Sequence, residues 1–220
     1  MNKIERYPEI IIYDFDGVIV NSNAVKSKVF FDVTKRFFGD IIADKFLSYH
    51  ESNIHIDRYD KFKYLFSNIL NISLDLVLYE NLLSSFSVLL KKNMNNYEIN
   101  DDIFKMRDHY KNSAFFIASG NNYHEILYFL KKKSLLKLFN GGVYGSPIKK
   151  IDNIQTILNK TKCSNVLFIG DTYDDFEISK VVGISFIFLS LWSNQNELQK
   201  FKNIKNTNIA SSLIDVFKYY

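Results

Sequence analysis

The feature that most constrains this chain is a short apolar run that ends in two carboxylates and a glycine: Glu9-Ile10-Ile11-Ile12-Tyr13, then Asp14-Phe15-Asp16-Gly17. Continuous hydrophobicity over four or five residues, bounded by a turn signal, reads as a strand buried on both faces. A strand of that kind belongs in a parallel sheet covered by helices. Asp14 and Asp16 then sit at the strand's C-terminal end, the edge of open α/β sheets at which ligands bind. Gly17 allows the backbone to turn closely there. Two such carboxylates suit a hard cation such as Mg2+, and one of them is also a potential nucleophile. Taken alone, the same residues also describe a strand closing in an ordinary polar turn.

Two further runs repeat the pattern. Ala114-Phe115-Phe116-Ile117-Ala118 ends in Ser119-Gly120-Asn121, and Val166-Leu167-Phe168-Ile169 ends in Gly170-Asp171-Thr172-Tyr173-Asp174-Asp175. A hydroxyl and an exposed backbone amide at a strand end are suitable ligands for phosphate. Asp171 and Asp175 lie one turn apart if a helix begins there. The pair Lys149-Lys150 follows Gly145-Ser146-Pro147, and an ammonium near a phosphate is a point-charge partner.

Helical spacing fills the intervals. Val25, Val29 and Val33, widened by Phe30 and Phe37, form one stripe. Phe62, Leu65, Phe66, Ile69 and Leu70 form another, and Leu74, Leu78, Leu82 and Phe86 a third. Residues 22–97 therefore read as several helices with no strand, and the polar run Lys91 to Asn96 as a hinge. Helices are expected around Ile103 to Tyr110, at 122–133, at Ile151 to Leu158 and at 175–182. Short strands are expected at Val143-Tyr144 and, as the last of the chain, at Ser185 to Leu189. This alternation argues for an α/β fold with a three-layer parallel sheet.

Composition excludes some classes. At 47% hydrophobic and 24% charged, the 220 residues supply both a core and a soluble surface, and no apolar stretch approaches a membrane span. Lys3, Glu5 and Arg6 are not a secretory signal, and a single cysteine, Cys163, rules out an internal disulfide. A cytoplasmic location is the expectation. The net charge of +4 is compatible with anionic substrates. Lys91-Lys92 and Lys131-Lys132-Lys133 carry no aromatic interleaving or nucleic-acid motif, so neither a nucleic acid nor a membrane is an expected partner.

In the order Asp14-Phe15-Asp16-Gly17-Val18, Ser119-Gly120, Lys150, and Gly170-Asp171 with Asp175, the chain resembles the haloacid dehalogenase superfamily. Residues 22–97 look like the inserted helical cap of its phosphoglycolate phosphatase-like branch. The resemblance implies a Rossmann-like core from residues 1–21 and 98–220. It also implies a Mg2+-dependent phosphatase acting on a small phosphorylated metabolite, such as a sugar or polyol phosphate, in carbohydrate metabolism. Asp14 would be the nucleophile that forms an aspartyl-phosphate, and Asp16 the acid and base. Ser119, Gly120 and Asn121 would meet the phosphate. The metal would take Asp14, the main-chain carbonyl of Asp16, Asp171 and Asp175. Family members often carry Gly-Ser-Pro, two residues, then lysine, which selects Lys150 over Lys149. The dehalogenase branch lacks the second aspartate of the first motif, so Asp16 favours phosphoryl transfer. Val18 is a common variant, and Asn21 stands where the family often has an aspartate. The same motifs would serve a phosphomutase, or, in degenerate form, a non-catalytic phosphate-binding regulator.

Within the cap, the stretch His50 to Phe62 concentrates polar, aromatic and basic groups. Arg58 and Lys61 share one helical face, either to meet the substrate's leaving group or as a solvated helix start. His50 and His55 are poorly spaced for a helical metal pair. Asp174 is either an aid to the metal or an exposed helix cap. The sequence leaves the oligomeric state and the identity of the leaving group open.

Overall fold

A computed structural model describes residues 7–54, 56–204 and 207–220. Lys3, Glu5, Arg6 and His55 lie outside the described residues. The chain divides into two compact units, Met1–Asn21 with Glu98–Tyr220, and Ser22–Tyr97.

The first unit is built on a six-stranded, wholly parallel sheet. Its strands are β1 (Ile10–Tyr13), β4 (Ala114–Asn122), β5 (Gly142–Ser146), β6 (Val166–Gly170), β7 (Ser185–Leu189) and β8 (Asn208–Ala210), in the spatial order β5-β4-β1-β6-β7-β8. β1 and β6 are buried at every residue, which is why they read as unbroken apolar runs. Alternate side chains serve opposite layers. Ile10, Ile12, Phe116, Ala118, Val166 and Phe168 pack with Ile154 and Ile157 of α7 (Lys150–Thr161) and Ile178 of α8 (Tyr173–Val182). On the other face the Tyr13 ring lies 5.1 Å from that of Phe115 and 6.1 Å from that of Phe139.

Register carries the functional consequence. Ile10–Tyr13 pairs in phase with Ala114–Ile117 on one side and with Val166–Ile169 on the other. The next residues of the three strands, Asp14, Ala118 and Gly170, therefore emerge side by side at the sheet's C-terminal edge. Chain order reverses across the sheet at β1, so this is the topological switch point where α/β sheets open a crevice.

Arg107, in α5 (Asp102–His109), pins the connection into β4. Its guanidinium donates to the carbonyls of Tyr110, Lys111 and Ser113 at 2.6, 3.1 and 2.6 Å and lies 3.8 Å from the centre of the Phe115 ring. The C-terminal 3-10 helix Leu213–Tyr219 packs Phe217 against His109, with ring centres 4.0 Å apart.

Four features depart from the sequence expectation. β7 is not the last strand, because β8 extends the sheet. β2 (Val20–Asn21) and β3 (Glu98–Ile99) form a small antiparallel pair where the chain leaves and re-enters this unit. Two- and three-residue strands are too short to develop a period. α9 (Gln195–Lys202), capped by Asn194, was also not anticipated. Finally, α8 begins at Tyr173, two residues earlier than expected, because Thr172 supplies its N-cap.

The second unit is helical. It contains α1 (Asn23–Phe38), α2 (Asp40–Ser52), α3 (Arg58–Tyr64), a π-helical turn at Leu65–Ile69, and α4 (Leu76–Asn93). Asp57 and Asp75 cap α3 and α4 by accepting from the N–H groups of Asp60 and Leu78. Phe30 is the hub of the core, with ring centres 5.6, 5.6 and 4.4 Å from those of Phe46, Phe62 and Phe86. Leu74 precedes α4 and is exposed, so the buried stripe there is Tyr79, Leu82, Phe86 and Leu90. The run Lys91 to Asn96, expected as a hinge, is helical and ends just before the boundary of the two units. It continues α4 and then a 3-10 turn, Met94–Asn96.

Candidate active site

The site grows from the C-terminal end of β4 and from the loops that follow β1, β5 and β6. Beyond β1 the chain turns at once: the Gly17 N–H donates to the Val20 carbonyl, and the Ile19 and Val20 N–H groups donate to that of Phe15. Gly17 has φ +72°, and a Cβ there would stand 2.0 Å from Oδ2 of Asp171. Only glycine leaves room for the β6 carboxylate to lie against the β1 loop. Gly170 plays the same part for Asp175, whose side chain a Cβ would meet at 2.6 Å.

Lys150 joins the loops electrostatically. Its ammonium donates to Oδ2 of Asp14 at 2.9 Å and to Oδ1 of Asp175 at 2.6 Å. Lys149, the other member of the pair, is exposed and is the N-cap residue of α7. Asp175 is fully buried. Its second oxygen accepts from the Thr172 hydroxyl at 2.8 Å and from the Thr172 N–H, and the Thr172 hydroxyl in turn accepts from the Asp175 N–H. This reciprocal box fixes the first turn of α8. Asp174 is exposed and is not the cap.

Asp14, Asp171 and Asp175 each present an oxygen within 4.8 Å of the others. Asp14 and Asp171 are only 5% and 4% exposed. Three buried carboxylates thus face one ammonium, and among the described residues no hydrogen-bond donor meets the carboxylate of Asp171. Burial, and then the neighbouring carboxylates of Asp175 and Asp16, push Asp14 up to about 6 against the pull of Lys150. Burial, with Asp14 and Asp175, likewise raises Asp171 well above the usual carboxylate range. Burial alone would lower Lys150, but Asp14 and Asp175 outweigh it and raise it. An all-oxygen set with surplus negative charge, one member lacking a donor, fits a hard divalent cation.

The C-terminal end of β4 completes the edge. Ser119 is buried, and its hydroxyl oxygen accepts from the Asn121 N–H at 3.2 Å. Gly120 is exposed, with nothing within 4 Å of where a Cβ would stand. The Asn121 side-chain amide donates to Oδ2 of Asp16 at 2.6 Å. Sequence reasoning gave Asn121 to the phosphate. The structure adds a contact with Asp16 that the pairing of β4 beside β1 creates.

Arg58 and Lys61 belong to the helical unit and are both buried. The Arg58 guanidinium lies 4.8 Å from the Phe86 ring centre and donates to the Ser87 hydroxyl at 3.2 Å. The Lys61 ammonium is 2.7 Å from Nδ1 of His50 and 5.4 Å from the Phe30 ring centre. Burial and Lys61 push His50 down to about 2, so its ring is neutral and Nδ1 accepts. Neither cation is a solvated helix start.

Two residues that the sequence did not single out hold the β6 loop. The Ser193 hydroxyl donates to the Asp171 carbonyl at 2.6 Å, and the buried Glu197 carboxylate accepts from the Tyr173 N–H at 2.6 Å. Glu197 also receives Lys200. No sequence period points from α9 to this loop.

A parallel, Rossmann-like core that gathers carboxylates, a hydroxyl and an ammonium at its switch-point edge places the chain among the α/β proteins that collect polar groups at the sheet's carboxyl edge. Residues 11–189 match the profile of the haloacid dehalogenase-like hydrolases, and the chain belongs to that family. No match is found among curated proteins. Among solved structures, the fold is similar to that of a haloacid dehalogenase-like family hydrolase from Streptococcus pneumoniae (17% identity, TM-score 0.73, covering 96% of this chain and 98% of that one). It is similar to a predicted phosphoglycolate phosphatase from Haemophilus somnus (16%, TM-score 0.75, 97% and 98%). It is also similar to CbbY from Rhodobacter sphaeroides, determined in complex with phosphate (9%, TM-score 0.70, 94% and 95%). Among the described residues no helix is long and apolar enough to cross a membrane.

Proposed function

We propose that this hydrolase is a Mg2+-dependent phosphatase that cleaves a small phosphomonoester through an aspartyl-phosphate on Asp14. The observation that carries this reading is the ammonium of Lys150 bridging Asp14 and Asp175, with the Asp171 carboxylate close beside them and, among the described residues, met by no hydrogen-bond donor.

Asp14, the Asp16 carbonyl, Asp171 and Asp175 would hold the metal. When bound, Mg2+ supplies the positive charge that offsets repulsion between the Asp14 carboxylate and a phosphate dianion. Lys150 holds one Asp14 oxygen, which orients the other for attack in line with the leaving alkoxide. An Asp14 oxygen bonds to phosphorus, the ester P–O bond breaks, and Asp16 gives its proton to the departing oxygen. Asp16 then takes a proton from the water that cleaves the acyl phosphate. Asn121 fixes the Asp16 carboxyl for both transfers. The Ser119 hydroxyl, the Gly120 N–H and the amides near Phe15 and Asp16 neutralise charge on the equatorial oxygens. The domain of residues 22–97 acts as a cap that selects the leaving group, with Arg58 and Lys61 supplying its contacts. The working site is cytoplasmic and the substrate a sugar, polyol or related metabolite phosphate.

The test is a panel of phosphorylated metabolites offered to the purified protein with Mg2+. The reading predicts release of inorganic phosphate from one or a few members, abolished by EDTA and restored by Mg2+. Activity that appears only with a bisphosphate activator and yields an isomer would make the enzyme a mutase.

A further inference from the structure

We propose that Glu197, assisted by Ser193, is a positioning residue that preorganises Asp171 and Asp175 for the divalent cation; this inference rests on the metal-dependent reading above. The cation site demands that like charges be held together. Asp14, Asp171 and Asp175 present oxygens within 4.8 Å of one another, and Lys150 bonds only the first and third. Before a cation arrives, repulsion drives Asp171 away from the group unless its backbone is fixed.

The peptide planes after Asp171 are fixed from outside the loop. The Ser193 hydroxyl donates to the Asp171 carbonyl. One peptide further on, the Tyr173 N–H donates to Oε2 of Glu197. Tyr173 is the first residue of α8, so its N–H has no partner within the helix. The Thr172–Asp175 box satisfies the N–H groups of those two residues, and Glu197 supplies the missing acceptor for Tyr173. Glu197 is itself anchored. It is buried, its N–H donates to Asn194, and its other oxygen receives Lys200 at 2.8 Å. The segment that follows β7 therefore acts as an outer brace for the carboxylates that meet the ion. Braces of this sort typically change metal affinity by about 10- to 100-fold when removed.

The experiment is calorimetric titration of the metal-free protein with Mg2+, without substrate, alongside thermal unfolding. Glu197→Ala is expected to weaken Mg2+ binding by roughly tenfold or more, and Ser193→Ala by less. Glu197→Gln keeps a carbonyl acceptor and should bind within about threefold of the unmodified protein. Arg107→Ala, which loosens the α5–β4 connection, serves as a control that lowers the unfolding temperature without altering Mg2+ affinity. Should Glu197→Ala lower the unfolding temperature yet bind Mg2+ like the unmodified protein, the residue is structural only and the inference is overturned. Should Glu197→Ala fail to fold, Glu197→Gln and Ser193→Ala decide: unchanged affinity in Ser193→Ala, or a tenfold loss in Glu197→Gln, overturns it. Absence of Mg2+ binding by the unmodified protein would instead overturn the metal-dependent reading itself.

Discussion

The two units differ in the charged groups they bury. In the α/β unit one ammonium, Lys150, is outnumbered by carboxylates. In the helical unit two cations, Arg58 and Lys61, lie over phenylalanine rings, with Ser87 and a neutral His50 among their partners. A group of carboxylates deficient in positive charge is unfavourable alone and is relieved by a cation, which supports the metal-dependent chemistry proposed above. The helical unit sets buried positive charge against aromatic rings, the arrangement proposed above for substrate choice. The difference teaches that the two halves of the proposed activity, bond cleavage and substrate choice, are separable by substitution.

The largest expected effect is at Asp14. Asp14→Asn should reduce turnover by more than about 10³-fold, because an amide cannot form the acyl phosphate. Circular dichroism should show the fold intact, and substantial activity in freshly purified variant, with deamidation excluded, would remove Asp14 from its role.

Asp171 and Asp174 sharpen the account within one loop. Asp171→Ala should lower the apparent affinity for Mg2+ by about 10- to 100-fold. The exposed Asp174→Ala should change it little. Equal shifts in a Mg2+ titration of activity would mean that burial and proximity have been misread as ligation.

Arg58 tests the other half of the comparison. Losing one hydrogen bond from a charged group costs on the order of 1.5–3 kcal/mol, roughly 10- to 150-fold in kcat/KM. Arg58→Ala should show that loss for the preferred substrate and much less for p-nitrophenyl phosphate. If the ratio between the two substrates is unchanged, Arg58 serves the cap's packing alone.

The smallest effect is on stability. The folded-state value of Asp14 is raised to about 6, and that of Asp171 moves in the same direction. A carboxyl raised on folding contributes stability that is complete below its unfolded value and is lost as pH rises through the folded one. These two carboxyls should therefore withdraw stability from the metal-free protein from about pH 4 up through pH 6, while His50, held neutral below its unfolded value, acts in the opposite sense over the same range, so a His50→Ala background should show the loss more steeply. Mg2+ should raise the unfolding temperature more at pH 7.5 than at pH 5, where protons compete for the same oxygens. A pH-independent increment, read by thermal denaturation, would separate metal binding from this carboxylate group.

Legibility in the sequence followed length and period. β1, β4 and β6 were visible because strands buried on both faces are continuous apolar runs, and their polar ends mark Asp14, Ser119 and Asp171. Lys150 could be chosen over Lys149 only through a family spacing. In the structure Lys150 reaches two carboxylates, whereas Lys149 is the exposed residue that precedes α7. β2, β3 and β8 are too short to carry a signal, and the start of α8 is set by the Thr172 side chain. The Asn121–Asp16 contact and the Ser193–Glu197 brace join segments distant in sequence, so no local pattern announces them. Arg58 and Lys61 stood out as charges, but their burial depends on the aromatic cluster around Phe30, which no single helix reveals.

The central claim is that Asp14 becomes phosphorylated. Rapid acid quenching during turnover, followed by borohydride reduction, converts an aspartyl-phosphate to homoserine, which peptide mass spectrometry locates. The account predicts homoserine at position 14, dependent on substrate and Mg2+ and absent in Asp14→Asn. Turnover with an unmodified Asp14, in an experiment that traps a known aspartyl-phosphate under the same conditions, or homoserine at another aspartate, would contradict it.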